Sequence, residues 1–345
     1  MKLKAKLPKN FFVGFIFLIM LSSCNSKNDT TGPAVVEIQV NEPASFTNSP
    51  FDISKLSSIL SLGWLEPVGH TIPTDHIYFS FNQTGTDSIP VYAPGPGLVK
   101  QILLRPIAGK QECKVWVEMN AKFSYYLDHV ILDSSIKTGN IIKGGQVIGT
   151  SGLGNTIDFG AIDSNVNNGF INPARYNSQT VRCGRPLSYF TDPLKSQLYS
   201  LVDREGTEKD GWVCVDVPKT LSGNWFYDNG LFNVDGPNGW DTELAFAYDI
   251  QHPSRVMISI GGIIGLIGKW NIISTDILPS QANTSTGKIT YHLCFIDPNY
   301  PNNPPIKKGL MIVQLTDDTH IKVETFTDIT LTDAVFDSNA EIYAR

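Results

Sequence analysis

Lys137-Thr138-Gly139-Asn140-Ile141-Ile142-Lys143-Gly144-Gly145-Gln146-Val147-Ile148-Gly149-Thr150-Ser151-Gly152 is the stretch that decides the fold class. Two short apolar pairs, Ile141-Ile142 and Val147-Ile148, are flanked by glycines, the residues that let a chain reverse tightly between strands. The run is too broken for a helix and reads as paired short strands. Gly149 to Gly154 is glycine-rich, but it is not GxGxxG and no helical pattern follows it, so a β-turn is read there and not a phosphate loop. Moving outward, His76 to Phe81, Gly97 to Pro106, Lys114 to Met119 and Phe123 to Leu132 are further β-rich runs separated by turn residues. Strands of this length at roughly ten-residue spacing predict a compact, mainly antiparallel all-β domain. A turn or two of helix is predicted over Ile53 to Leu62, and a helix over the PLKSQLYSLV run that ends at Val202.

The dense charged stretch Asp203 to Gly211 marks the best domain boundary, giving domains over 51–202 and 203–345. Beyond it the β pattern restarts at Trp212 to Val217, Asn224 to Phe226, Glu243 to Asp249, Arg255 to Ile260, Trp270 to Ile273, Thr290 to Ile296, Met311 to Leu315 and His320 to Phe326. These runs suffice for one sandwich or barrel, the sandwich being the simpler expectation. Gly223-Asn224-Trp225, with Arg345 following Tyr343, resembles the lipocalin-like barrels. That resemblance implies an Arg packed on the Trp at a closed barrel end, and a cavity for a small apolar ligand.

The first residues speak to location. Lys2, Lys4, Lys6 and Lys9 precede an unbroken apolar run, Phe11 to Leu21, and then Leu21-Ser22-Ser23-Cys24. The run is too short to cross a bilayer as a helix and reads, with its basic flank, as a secretory signal over 1–23. Leu21 to Cys24 resembles a bacterial lipobox, which implies cleavage before Cys24 and acylation of that residue. The polar stretch to Pro50 then reads as a lipidated tether over 24–50. The expected location is the bacterial cell envelope, lipid-anchored, facing the periplasm or the outside.

A content of 41% hydrophobic and 17% charged residues suits a folded protein with real cores. Without the four leading lysines, 27 basic residues become 23 against 33 acidic ones, a net charge of −10. Such a chain lacks the electrostatic footprint of a nucleic-acid binder. Cys113, Cys183, Cys214 and Cys294 remain after Cys24. An exported location permits disulfides, but sequence leaves the pairing open, with buried free thiols as the alternative for Cys113 and Cys294.

The segment from His70 to Asp163 resembles the lysostaphin/LytM zinc endopeptidases, which cleave peptidoglycan cross-bridges. Ile89 to Val99 (IPVYAPGPGLV) corresponds to that family's strand-turn-strand, Tyr126-Leu127-Asp128-His129 to its Y-x-H strand, and Lys137 to Gly152 to its glycine-rich hairpin. The resemblance implies zinc held by two His and one Asp, with a fourth position open for an acidified water. The expected pattern is H-x-x-x-D, then Y-x-H, then H-x-H before Phe. His76 stands at the first ligand position, with Ser80 where the Asp belongs. His129 is present as the acid/base candidate. Thr156-Ile157-Asp158 replaces H-x-H ahead of Phe159, leaving Asp158 as a possible ligand beside His76. His70, Asp75 and Tyr126 are read as lining a binding groove. The resemblance therefore implies a LytM-like domain that has lost its metal set and binds or scaffolds at the envelope, with peptidoglycan or an envelope protein as partner and no cofactor. Two alternatives accompany it: a zinc peptidase with rearranged ligands, and an apolar-ligand carrier through the second domain.

Overall fold

A computed structural model describes residues 43–82, 88–228, 239–297 and 303–345. The signal segment and Cys24 lie outside the described residues, as does the Val35 to Val40 run. The described residues fall within one compact unit, Ile38–Arg345. No helix among them is long and apolar enough to cross a membrane.

The fold is almost wholly antiparallel β. Nine strands form the first sheet: β1 (Leu56–Leu60), β2 (Ile77–Phe81), β3 (Pro90–Tyr92), β4 (Gly97–Ile107), β5 (Lys110–Asn120), β6 (Phe123–Leu132), β7 (Ile141–Ile142), β8 (Val147–Ser151) and β9 (Thr156–Asp163). Their order is β1-β2-β9-β6-β5-β4-β7, with β8 joining β3 to β6. The Lys137 to Gly152 stretch supplies β7 and β8, as its glycine pattern predicts. Ile53 to Leu62 departs from expectation. Only Ile53–Lys55 forms a short 3-10 turn, and β1 follows. The pairing with β2 shifts register between Leu56 and Ser58, and this bulge lets both Leu56 and Ile59 face the core although they are three residues apart. The long β4–β5 hairpin turns at Ala108-Gly109, both in the left-handed region (φ 46° and 81°), the pair of conformations a two-residue hairpin turn needs.

Odd-numbered residues of β2 and β5 build the core: Ile77, Phe79, Phe81, Val115 and Val117 are buried together with Phe159 and Tyr125. Phe46, within the stretch expected to be tether, is fully buried against Phe123, Tyr125, Phe159 and Phe190, so the packed body begins ahead of Phe51. Even-numbered residues face the other way and carry the polar site. Two short helices, α1 (Ser178–Val181) and α2 (Leu194–Ser200), follow the sheet, α2 inside the predicted PLKSQLYSLV helix.

The second body is a closed barrel, not a sandwich. Its strands are β10 (Gly223–Tyr227), β11 (Glu243–Tyr248), β12 (Val256–Ile260), β13 (Gly268–Asn271), β14 (Ile289–Phe295), β15 (Ile306–Leu315), β16 (His320–Phe326) and β17 (Glu341–Ala344). Trp212 to Val217 forms no strand. The eighth strand is β17, which pairs with both β10 and β16 and so closes the ring. Closure removes the sheet edges that an open sandwich leaves to be protected. Trp225, Phe246, Tyr291 and Tyr343 fill the interior, each buried. Arg345 lies 4.1 Å over the Trp225 ring and donates to the backbone carbonyls of Ser222 (2.9 Å) and Thr220 (2.7 Å). The charged stretch after Asp203 is tied down: Arg204 is buried, stacks on Trp212 at 4.3 Å and donates to the carbonyl of Ile250. Cys113, Cys183, Cys214 and Cys294 are free thiols.

Candidate functional site

β2 and β9 pair with Tyr78 opposite Asp158 and Ser80 opposite Thr156. The alternation of β2 turns Tyr78 and Ser80 away from the core, onto the face that also carries Asp158. His76, just ahead of β2, is held there by contacts with both neighbours. Its Nε2 is 3.0 Å from the Tyr78 hydroxyl and 3.4 Å from Asp158 Oδ2. Its Nδ1 is 3.1 Å from Asp75 Oδ1. His129 approaches from β6, with Nε2 at 3.8 Å from the same Asp158 oxygen and Nδ1 at 2.9 Å from Glu112 Oε2. The two imidazoles expected at the site thus meet at one carboxylate, Asp158.

His129 reaches this position through a bulge. Cys113 pairs with Val130 and Val115 with Leu127, so Asp128 and His129 together oppose Lys114. His129 takes a left-handed backbone (φ 65°), uncommon for a residue with a side chain. The bulge turns His129 to Asp158. Asp128 holds the bulge by accepting from the His129 backbone N–H (2.9 Å) and from Arg105 (3.1 Å). Glu112, buried in β5, accepts from His129 and from the Leu153 backbone N–H, which ties the glycine-rich turn to the site.

Asp75 is the second centre. Its carboxylate accepts from His76, from the Tyr126 hydroxyl (3.1 Å), from the Gln179 amide (2.9 and 3.0 Å) and from the Thr180 hydroxyl (2.5 Å). Gln179 and Thr180 come from α1, whose turn is set by the Asn177 side chain accepting from the Thr180 N–H. Gly160 makes room for this cluster: a Cβ there would lie 2.2 Å from the Tyr126 ring. Lys114 sits over the Tyr126 ring at 3.8 Å and the Trp116 ring at 4.6 Å, with its ammonium donating to Gln179 at 2.9 Å. Such a desolvated ammonium over two rings is held as a fixed cation.

Burial works to raise the Asp75 carboxyl, but the hydrogen bond and charge of His76 and the Thr180 hydroxyl outweigh it and hold it well below the usual carboxylate range. Burial works to lower His76, yet the charge of Asp158 and the bond to Asp75 win and raise it above its ordinary value. His70, whose ring lies 5.5 Å from that of His76, is pushed down to about 4, by burial first and by the charge of His76 second. The Lys114 ammonium is lowered by burial, with Asp75 and Asp128 opposing.

These groups fit a zinc ion poorly. A zinc-binding imidazole must offer a bare nitrogen. The Nε2 of His76 is engaged by Tyr78 and Asp158. Ser80 offers no carboxylate where a third ligand would stand. Among the described residues no three His, Cys, Asp or Glu are arranged to hold a metal. The geometry suits a fixed polar surface of alternating charge.

Sequence reasoning names His70, Asp75, His76, Tyr126, His129 and Asp158, and the structure brings all six to one face. It misses Tyr78, Glu112, Lys114, Gln179 and Thr180. The alternation of KQECKVWVEMN carries a signal for Glu112 and Lys114, charged residues at even positions of a half-buried strand. Nothing local marks Gln179 or Thr180.

No protein-family model matches the chain, and no curated protein matches it. Solved structures do. Helicobacter pylori Csd3 is 20% identical over 43% of this chain and 35% of its own, with a TM-score of 0.30. A zinc-containing peptidase from Vibrio cholerae is 23% identical over 35% of this chain and 37% of its own, with a TM-score of 0.28. The catalytic domain of lysostaphin from Staphylococcus simulans is 21% identical over 30% of this chain and 77% of its own, with a TM-score of 0.24. The chain spans about a third of the length of the first two.

Proposed function

We propose that this protein is a noncatalytic binding or scaffolding protein of the bacterial cell envelope, anchored through acylated Cys24. It acts through the face around His70, Asp75 and Tyr126, with peptidoglycan or an envelope protein as partner. One observation carries the reading: the His76 Nε2 that would bind zinc is taken up by the Tyr78 hydroxyl and by Asp158. A hydrolytic site needs a metal with an open position, or a nucleophile beside a free base. Here the acids and bases are paired with one another. The carrier alternative loses support because the barrel interior is filled by Trp225, Phe246, Tyr291 and Tyr343.

The test is metal content of protein purified without chelator, as wild type and His76→Ala, together with muropeptide digestion. The expected result is far less than one zinc per chain, unchanged by His76→Ala, with no cleavage. One zinc per chain, lost in His76→Ala and accompanied by cross-bridge cleavage, would overturn the reading. Anchoring is checked separately: Cys24→Ala should abolish palmitate labelling and move the protein out of the detergent phase.

A further inference from the structure

Where the first sheet meets the barrel lies a pocket of about 530 Å³, a volume typical of small-molecule and peptide-end sites. One wall comes from the sheet and carries Lys114, Arg105 and Trp116. Phe226, Trp240 and Glu243 line it from the barrel side of the chain. Glu243 is unusual. It is 7% exposed, its Oε2 has no hydrogen-bond partner among the described residues, and it accepts from the backbone N–H of Ile72. A buried carboxyl oxygen without a partner costs roughly 1–3 kcal/mol, so it marks a place where a partner is expected. Burial pushes the Glu243 carboxyl up to about 8, so near neutrality it is largely protonated and offers an O–H. The cations are held in place: Lys114 by Gln179 and two rings, Arg105 by Asp128.

We infer that this pocket binds the carboxylate end of an acylated amino acid or peptide whose last residue is apolar. Arg105 and Lys114 meet the carboxylate, Trp116, Phe226 and Trp240 hold the side chain, and Glu243 donates to the preceding amide carbonyl. A planar guanidinium beside a fixed ammonium is matched to a carboxylate. Aromatic walls supply apolar burial without excluding the amide. The inference rests on reading the first sheet as a binding surface and not as a hydrolase.

The experiment is calorimetric titration of the full mature chain with N-acetyl-L-phenylalanine, with its carboxamide, and with an acetylated pentapeptide ending in phenylalanine. Binding of the carboxylate with at least about tenfold loss for the carboxamide is expected. Glu243→Leu should weaken binding by a similar factor while Glu243→Gln, which keeps a donor, retains it. Trp240→Ala changes a half-exposed rim position and tests the pocket should Glu243→Leu fail to fold. Equal affinity for carboxylate and carboxamide, no heat from any probe up to millimolar concentration, or unchanged binding in both Glu243→Leu and Trp240→Ala would overturn the inference. A pentapeptide that binds tighter than the amino acid identifies a chain end as the ligand, and equal affinities identify the free acylated amino acid. Mass spectrometry of the recovered pentapeptide separates the two readings: cleavage would sink the noncatalytic one, whereas intact peptide without binding sinks only this one.

Discussion

Asp75, itself buried, gathers four side-chain donors on two oxygens. His76, Tyr126, Gln179 and Thr180 come from three separate parts of the chain, so this one carboxylate holds α1 against the sheet. Asp75→Ala would leave those donors buried without an acceptor. The expected destabilisation is about 3–5 kcal/mol, read as a lower urea midpoint at an unchanged slope. A midpoint within experimental error of wild type would mean that the cluster rearranges at little cost. The acid side of the pH profile has a defined sign. The folded Asp75 carboxyl lies below its unfolded value of about 3.8, so its contribution is present above that pH and is lost as pH falls through the folded value. His76 runs the other way: its folded value is raised, so its contribution is present below about 6.5 and is lost as pH rises through the folded value.

At the scale of strands, what the sequence discloses is what repeats along it. The glycine-punctuated run from Lys137 to Gly152 shows β7 and β8, and the alternation of β5 and β6 shows which residues face the core. The bulge at His129 leaves no such trace. Its conformation is held by the neighbouring Asp128 and by Glu112, which strand pairing brings close, so the sequence names His129 but not the bulge that aims it. Barrel closure by β17 is equally silent, because four residues carry no readable period, although the Gly223-Asn224-Trp225 and Arg345 signal does anticipate the Arg–Trp contact. Two substitutions probe these junctions. Gly160 pairs with Tyr126 across β9 and β6, and Tyr126 is fully buried and hydrogen-bonded. Gly160→Ala must displace that ring or the strand, at a cost of about 1–3 kcal/mol. Thermal unfolding checks this, and an unshifted midpoint would show that the ring has room. Arg345→Ala removes a cation over Trp225 and its bonds to the backbone carbonyls of Val217, Thr220 and Ser222 at the barrel seam. A loss of about 3 kcal/mol is expected from tryptophan-monitored urea unfolding. Arg345→Lys should recover little of it, since an ammonium cannot reproduce the guanidinium fork.

Over the whole molecule, the seam between sheet and barrel is where the two bodies depend on each other. Thr71 donates to the Trp240 carbonyl, Asn224 to the Tyr176 hydroxyl, and Lys269 to Glu66 and the Leu65 carbonyl. Glu243 belongs to this seam, and its burial makes an argument about pH. In the unfolded chain it ionises near 4.5; in the fold it stays protonated until about 8. Between those values the folded state binds more protons than the unfolded one, so stability falls as pH rises, by up to roughly 1.4 kcal/mol per pH unit. Glu243→Gln is neutral in both states and removes that slope. The variant should match wild type near pH 4.5 and exceed it by several kcal/mol at pH 8, in urea unfolding followed at both values. His76 also loses its contribution as pH rises, but it does so equally in both proteins, so the difference between them isolates Glu243. Parallel profiles for the two proteins would mean that water or a cation reaches the Glu243 carboxylate in the fold, and the pocket would then be reassigned from a carboxylate site to a cation site.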